Sequence, residues 1–227
     1  MIPKASFVIA THNDEAYLPK AINSCLGQSL KRVEIIVVDD GSTDGTPDLL
    51  SHYQKQDKRI RVVRLEQNQG RSAARNRGIQ EAKSDVIMIL DSDDVALADR
   101  AAITVKHFKK TADDVVYGQF VTIDALGNVT GSFDALPFNF EKVKETGYTF
   151  ICHSTMAFRK SVFDKVQYSL DGYSANGIDD WKFQVDAFRA GLNLGVIKKP
   201  LCQYRDLGKA YDTEEKKKLK DLCLNAN

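Results

Sequence analysis

Four times between Ala5 and Lys110 the chain passes through a short apolar segment and then a stretch with helical spacing. The apolar segments are Ser6 to Ala10, Val33 to Val38, Arg61 to Leu65 and Val86 to Leu90. Between and after them, Glu15 to Gln28, Thr46 to Gln56, Arg71 to Ala82 and Asp99 to Lys110 read as helices. The first sets Leu18, Ile22, Cys25 and Leu26 on one face, and the second is opened by Ser42-Thr43-Asp44 and Pro47. A strand–helix unit repeated this way requires crossover connections. The product is a parallel sheet covered by helices on both faces, so the expected class is α/β.

After Lys110 the rhythm changes. Val115 to Ile123, Gly127-Asn128 and Val129 to Phe133 predict a hairpin, which cannot continue a parallel series. Leu136 to Tyr148 is aromatic and marked by Gly and Pro, with no clean period. Ser161 to Val166 and Asp179 to Ala190 predict helices, Gly195 to Ile197 a short strand, and Glu214 to Leu224 a basic helix. Lacking an internal repeat or flexible linker, residues 1–112 and 113–227 are expected to pack as two halves of one body with a cleft between them.

The chemistry gathers where the four expected parallel strands end. The first leads into Thr11-His12-Asn13-Asp14-Glu15, and the second into Asp39-Asp40-Gly41-Ser42. The third is followed by Asn68-Gln69-Gly70-Arg71, and the fourth by Asp91-Ser92-Asp93-Asp94. Open α/β sheets bind ligands at the carboxyl ends of their strands. Three carboxylates within four residues repel one another unless a positive charge sits among them, and hard oxygens suit Mg²⁺ or Mn²⁺, which in turn hold phosphate. Carboxylates and amides can read a base edge and ribose hydroxyls, while Arg71 and Arg75, one turn apart, can neutralise phosphates. Each feature also has a plainer reading: an acidic loop capping the next helix, or a solvated arginine face.

Other chemistries are excluded. The turn after the first strand has no glycine, so it carries no dinucleotide fingerprint, and no GxxxxGK[ST] occurs. Cys25, Cys152, Cys202 and Cys223 are scattered without a CxxC pair, which argues against a zinc cluster or disulfide scaffold and fits a reducing compartment. With 32 Lys and Arg against 31 Asp and Glu, the net charge of +1 gives no field to recruit nucleic acid. No apolar run approaches the roughly 18 residues of a spanning helix. The start at Met1-Ile2-Pro3-Lys4 leaves no room for a signal peptide, so the expected location is cytoplasmic.

The strand-end motifs, together with Ala73-Ala74-Arg75-Asn76, closely resemble the family 2 glycosyltransferases of the GT-A fold, a Rossmann-like, mostly parallel sheet with a smaller acceptor-side half. Phe150 to Arg159 and Gly177-Ile178-Asp179-Asp180-Trp181 are similar to that family's acceptor half, so the resemblance runs from Ala5 to about Arg205. It implies transfer of a sugar from a nucleoside diphosphate, with inversion, to a glycan or lipid-linked acceptor. Carried over, it makes Thr11, Asn13 and Glu15 the lining of the nucleoside pocket and Asp40 or Asp39 the partner of the base, uracil being expected. Ser42, Asn68 and Ser92 complete the nucleotide-facing groups. Arg71 and Arg75 would face the base or diphosphate, Asp91 the ribose or metal shell, and Asp93 would ligate Mn²⁺ or Mg²⁺. Asp180 is the implied catalytic base, and Asp179 stands where the family has Glu.

A base on the acceptor side must take the hydroxyl proton as the new bond forms. On the opposite side the leaving diphosphate gains charge that a divalent cation absorbs. By its place alone Asp180 reads as a helix cap or N-terminal charge, and it is the resemblance that makes it the base. Gln203-Tyr204-Arg205 resembles the end of non-processive members, but Asp206-Leu207-Gly208-Lys209 lacks the histidine often found there. No Gln-x-x-Arg-Trp occurs, so single-sugar transfer is expected. Trp181 reads as core, His153 as a core or acceptor residue. Lys216-Lys217-Lys218 reads as a solvated face or as a contact to anionic lipid at the inner membrane face. The competing functions are another metal-dependent phosphate-handling enzyme, such as a sugar nucleotidyltransferase or phosphatase, and a non-catalytic nucleotide-sugar-binding module.

Overall fold

A computed structural model describes residues 2–171, 173, 177–208 and 214–225. Lys209 therefore lies outside the described residues. The four expected parallel strands are present as β1 (Ala5–Thr11), β2 (Val33–Asp39), β3 (Ile60–Arg64) and β4 (Val86–Ile89). The intervening helices are α1 (Leu18–Leu26), α2 (Thr46–Gln56) and α3 (Arg71–Glu81), with α4 (Arg100–Phe108) after a two-residue strand β5 (Val95–Ala96). Helix α1 is shorter than its expected Glu15–Gln28 span because Pro19 sits in its first turn and Gly27 caps its end.

Alternation sorts the side chains of these strands between two cores. Phe7, Ile9, Ile35, Val37, Met88 and Leu90 pack with Leu18, Ile22, Leu50 and Ala101 of α1, α2 and α4. Val8, Ile36, Val38, Ile87 and Ile89 point the other way and pack with Ala74 and Ile79 of α3. Full burial of each Val, Leu, Ile, Phe or Met side chain among them contributes about 1.5–3 kcal/mol. Helix α3 has no clean apolar face, since it buries Ser72, Arg75, Asn76 and Gly78. It lies so close to β1 that a Cβ at Gly78 would stand 2.5 Å from Val8 Cγ1.

The second half extends the same sheet instead of forming another. The hairpin is β6 (Val115–Ile123) and β7 (Val129–Phe133), as its sequence predicts. A short strand β8 (Ala157–Arg159) and a long β9 (Leu194–Arg205) complete the order β3-β2-β1-β4-β8-β6-β9-β5, with β7 on β6. Strand β8 runs antiparallel to both β4 and β6, and so joins the parallel half to the rest. Neither β5 nor β8 was expected, and β9 is longer than the Gly195–Ile197 segment. The expected helix at Ser161–Val166 is a 3-10 turn over Lys160–Asp164. The aperiodic stretch contains a short helix, α5 (Phe140–Thr146), followed by α6 (Asp179–Arg189) and α7 (Glu214–Asn225). Helix α6 adds Phe183 and Ala187 to the core that holds α3. Val143, Ile178, Trp181, Val185 and Cys223 form a third cluster that ties α5 and α7 to α6. No described helix is long and apolar enough to cross a membrane.

Candidate active site

The register makes the parallel strands end flush: Thr11 lies beside Asp39 and Asp39 beside Arg64. The loops that leave them are held by the polar side chains singled out in the sequence. Asn13 Oδ1 accepts from the Thr43 amide at 2.8 Å, and Ser42 Oγ accepts from the Asn13 amide at 2.9 Å. Glu15 Oε2 accepts from the Gly45 amide at 2.8 Å, and Asp39 Oδ1 from the Ser42 amide at 2.9 Å. Asp40 Oδ1 accepts from the Gln69 amide at 2.8 Å, and Asn68 Oδ1 from the Gly70 amide at 2.9 Å. Asn13, Glu15, Asp39, Asp40, Ser42 and Asn68 thus help to set the shape of the loops through their side chains, and Thr11 joins them through its carbonyl, which accepts from the Asp40 amide at 2.9 Å. Among the described residues Thr11 Oγ1 and Asp39 Oδ2 are buried there without a hydrogen bond, and Arg64 Nε stands 3.7 Å from Asp39 Oδ2.

The acidic motif after β4 is a turn closed by the Asp94 amide donating to Asp91 O at 3.2 Å. Asp91 is half-buried, and its amide donates to Ser154 Oγ at 3.0 Å. Ser92 and Asp93 occupy the corner of the turn, also half-buried. Arg205 fastens the turn from β9: its amide donates to Asp94 Oδ1 at 2.7 Å and its Nε to Asp93 O at 2.8 Å. Burial pushes the Asp94 carboxyl well above its usual range, and the Asp91 and Asp93 carboxylates push it further. Burial acts the same way on Asp91, but Arg75 and His153 outweigh it and hold Asp91 well below that range.

Arg75 stands at the centre. Its Nη2 donates to Asp91 Oδ1 at 2.6 Å, its Nη1 donates to Asp179 Oδ2, and its guanidinium lies 5.4 Å from the Tyr168 ring centroid. Burial disfavours its charge, yet the Asp179 and Asp91 carboxylates prevail and raise it above the ordinary arginine value. Arg71, one turn earlier on α3, places Nε 2.8 Å from Asp179 Oδ1. Gly177 permits that approach, since its φ is +69° and a Cβ there would meet Arg71 Nη2 at 2.6 Å. Asp179 and Asp180 are the first two residues of α6, but their surroundings differ. Asp179 is fully buried between the two arginines, whereas Asp180 is half-buried and makes no hydrogen bond or ion pair among the described residues.

Reading the sequence did not single out Tyr168, and left His153 open. His153 Nε2 lies 2.8 Å from the Tyr168 hydroxyl, and its Nδ1 3.5 Å from Asp91 Oδ1. Asn76 grips the Tyr168 backbone at both ends, accepting from its amide at 3.0 Å and donating to its carbonyl at 2.8 Å. No local pattern announces Tyr168, because its partners lie 15 and 92 residues away. Trp181 is core, 5% exposed.

A parallel sheet with polar loops at its carboxyl edge, extended by a mixed half that brings a carboxylate pair to that edge, is the GT-A architecture of sugar-transferring enzymes. The model of the family described as Glycosyl transferase family 2 matches residues 6–167, and the chain belongs to that family of glycosyltransferases. An uncharacterized glycosyltransferase of Methanocaldococcus jannaschii is 29% identical over 208 residues, 89% of this chain and 71% of that protein. The succinoglycan biosynthesis protein ExoO of Rhizobium meliloti is 41% identical over 99 residues, 44% of this chain and 28% of that protein. The crystal structure of S. aureus TarS 1-349 in complex with UDP-GlcNAc matches with a TM-score of 0.76 and 21% identity, covering 99% of this chain and 67% of that one. At that identity the likeness shows the shared fold. This chain thus spans between 28% and 71% of the length of these relatives.

Proposed function

We propose that the chain moves one sugar, with inversion, from a UDP-sugar to a hydroxyl of a glycan or lipid-linked acceptor, with Asp180 as the base. The observation that carries this reading is the contrast within the carboxylate pair. Asp179 is locked to Arg71 and Arg75, while the Asp180 carboxylate, on the first turn of α6, has no hydrogen bond or ion pair among the described residues. Inverting transfer is an in-line displacement. The acceptor oxygen attacks the anomeric carbon, Asp180 takes its proton, and the bond to the diphosphate breaks on the far face. Residues 1–112 hold the donor and residues 113–227 the acceptor. Thr11, Asn13, Glu15, Asp39 and Asp40 shape the nucleoside pocket, and Arg71 reaches the diphosphate. Uridine is the favoured nucleoside because Asp39 Oδ2 and Thr11 Oγ1 are buried acceptors in want of a donor such as a uracil N3–H.

Among the described residues no three His, Cys, Asp or Glu side chains converge to hold a metal by themselves. Mg²⁺ and Mn²⁺ sites that bind phosphate commonly use one or two carboxylates, and the charge crowded into the 91–94 turn, felt at Asp94, fits such a site. Asp93 and Asp91 are the residues that would hold it. Bound there, the cation would neutralise charge on the leaving diphosphate. The names of relatives support the donor and the setting: TarS was crystallised with UDP and with UDP-GlcNAc, and ExoO is named for succinoglycan biosynthesis. We place the reaction in the cytoplasm, at the inner membrane face where the acceptor is lipid-linked.

The test is incubation with UDP-, GDP- and CDP-sugars with and without Mn²⁺, following nucleoside diphosphate release and the anomer formed by proton NMR. Release from UDP-sugars with inverted product is expected. Release with retention, or from none of them, overturns the reading.

A further inference from the structure

We infer that Arg75 is a positioning residue that ties the donor-side turn to the acceptor-side helix, rather than a ligand of the nucleotide. The inference rests on the proposed roles of Asp180 and of the 91–94 turn, and it departs from the expectation that both arginines of α3 face the base or diphosphate. Arg75 is 4% exposed, and its two terminal nitrogens are already taken, one by Asp91 and one by Asp179. Tyr168 lies against its guanidinium, and Asn76, one residue along α3, holds the Tyr168 backbone in place. Tyr168 in turn contacts His153, which faces Asp91, so the contacts close into a ring: Arg75, Asp91, His153, Tyr168 and Arg75 again.

The Nε of Arg75 makes no hydrogen bond among the described residues but is buried too, so the guanidinium offers a diphosphate no exposed edge. Arg71 differs, being 45% exposed while contacting Asp179 Oδ1, and can meet a phosphate without leaving its helix. The two ends of the bridge are what matter. Asp91 opens the turn that carries Asp93, and Asp179 precedes the base on the first turn of α6. A planar guanidinium with its nitrogens on two carboxylates sets both the distance and the angle between them. An ammonium group can touch both but orient neither. Arg75 thereby aims Asp180 at the donor's anomeric carbon.

The bridge is tested with Arg75→Lys and with Asp179→Asn, the latter removing the α6 end should the lysine variant fail to fold. Three quantities are read: UDP affinity by calorimetry with Mn²⁺, hydrogen exchange of the α6 first-turn amides, and UDP-GlcNAc turnover. UDP should bind within a factor of about three of the parent. The α6 amides should exchange faster, and turnover should fall about 10²-fold, the scale on which a displacement of about 1 Å acts. Weakening of UDP binding by tenfold or more in Arg75→Lys, with α6 exchange unchanged, would make Arg75 a nucleotide ligand and overturn the inference. Parent-like exchange and turnover in both variants would overturn it too. Exchange and UDP binding need no catalysis, so a failure of the sugar-transfer reading is distinguishable from a failure of the bridge.

Discussion

The loops at the ends of β1 to β3 and the segment from Leu136 to Phe150 belong to opposite halves of one enzyme and are held in different ways. The first set is braced by directed hydrogen bonds from Asn13, Glu15, Asp39, Asp40 and Ser42 to neighbouring amides. The second is held by aromatic contact. Phe140 stacks on Phe188 at 4.9 Å between centroids, Phe138 tilts against Phe188 at 5.2 Å, and Lys142 lies over Phe150 at 4.8 Å. A cavity of about 360 Å³ opens there, lined by Leu136, Phe138, Lys142, Thr149 and Phe150 among others. Directed bonds give one shape, suited to a constant nucleotide. Apolar contacts tolerate repacking, which suits the acceptor side of the proposed reaction.

The largest effect that could break this division is at Asp180. In the proposed mechanism Asp180→Asn lowers turnover by roughly 10²–10⁴-fold, the worth of a positioned base. UDP affinity, set by the braced loops, stays unchanged in calorimetry. A variant with parent-like turnover would remove Asp180 from the chemistry, and one with weakened UDP binding would put α6 in the donor site.

Next comes the turn after β4. Asp93→Asn keeps the size of the side chain but removes a charge from the proposed hard-cation site. Mn²⁺-dependent UDP binding should drop by at least the roughly 10–100-fold seen when even an outer partner of a metal is lost. Calorimetry of parent and variant, each with and without Mn²⁺, reads this directly, and equal affinities in all four titrations would refute the assignment.

The two halves also differ in how far the sequence announces them. Helix α2 lies at Thr46–Gln56 and the hairpin at Val115–Ile123 and Val129–Phe133, as expected, because turn residues and periodicity are local signals. Strand β8 was missed because three residues, Ala157–Arg159, carry no period; they are a strand only because β4 and β6 flank them. At the site, the strand-end residues were legible as a set, but not the use each makes of its oxygens. Asn13 and Glu15 read as ligand-lining groups, and the structure adds a bracing function that depends on loops some 30 residues away. Arg75 read as a phosphate partner. Its engagement by Asp179, 104 residues distant, could not be seen before α3 and α6 were packed on the same face.

The nucleoside preference is a smaller effect and sharpens the picture of the braced pocket. With buried acceptor oxygens at Thr11 and Asp39, replacing uracil by cytosine removes the N3–H donor. That loss costs about 1–3 kcal/mol when an acceptor is left buried and unpaired. UDP should therefore bind more tightly than CDP in parallel titrations. Equal or tighter binding of CDP would move the base away from these oxygens while leaving the fold untouched.

The smallest effect lies farthest from the donor and tests whether the halves are separable. Asn139 caps α5 by accepting from the Lys142 amide at 3.0 Å, and Gly147, in the left-handed conformation, closes its other end. The helix is only seven residues long, so its caps hold it as much as its interior does. Its buried Val143 packs into the cluster with Trp181 and Val185 of α6, so the cap reaches the acceptor side through that contact. Asn139→Ala should cost about 1 kcal/mol of stability in urea unfolding, the usual worth of an N-cap. Local opening of α5 would appear as faster amide exchange at Val143, which donates to the Asn139 carbonyl, and at Gly147, which donates to the Val143 carbonyl. UDP affinity should not move, since α5 supplies nothing to the loops after β1, β2 or β3. A drop in UDP affinity matching the loss in stability would show that the aromatic half and the braced half open together, and the division between them would fall.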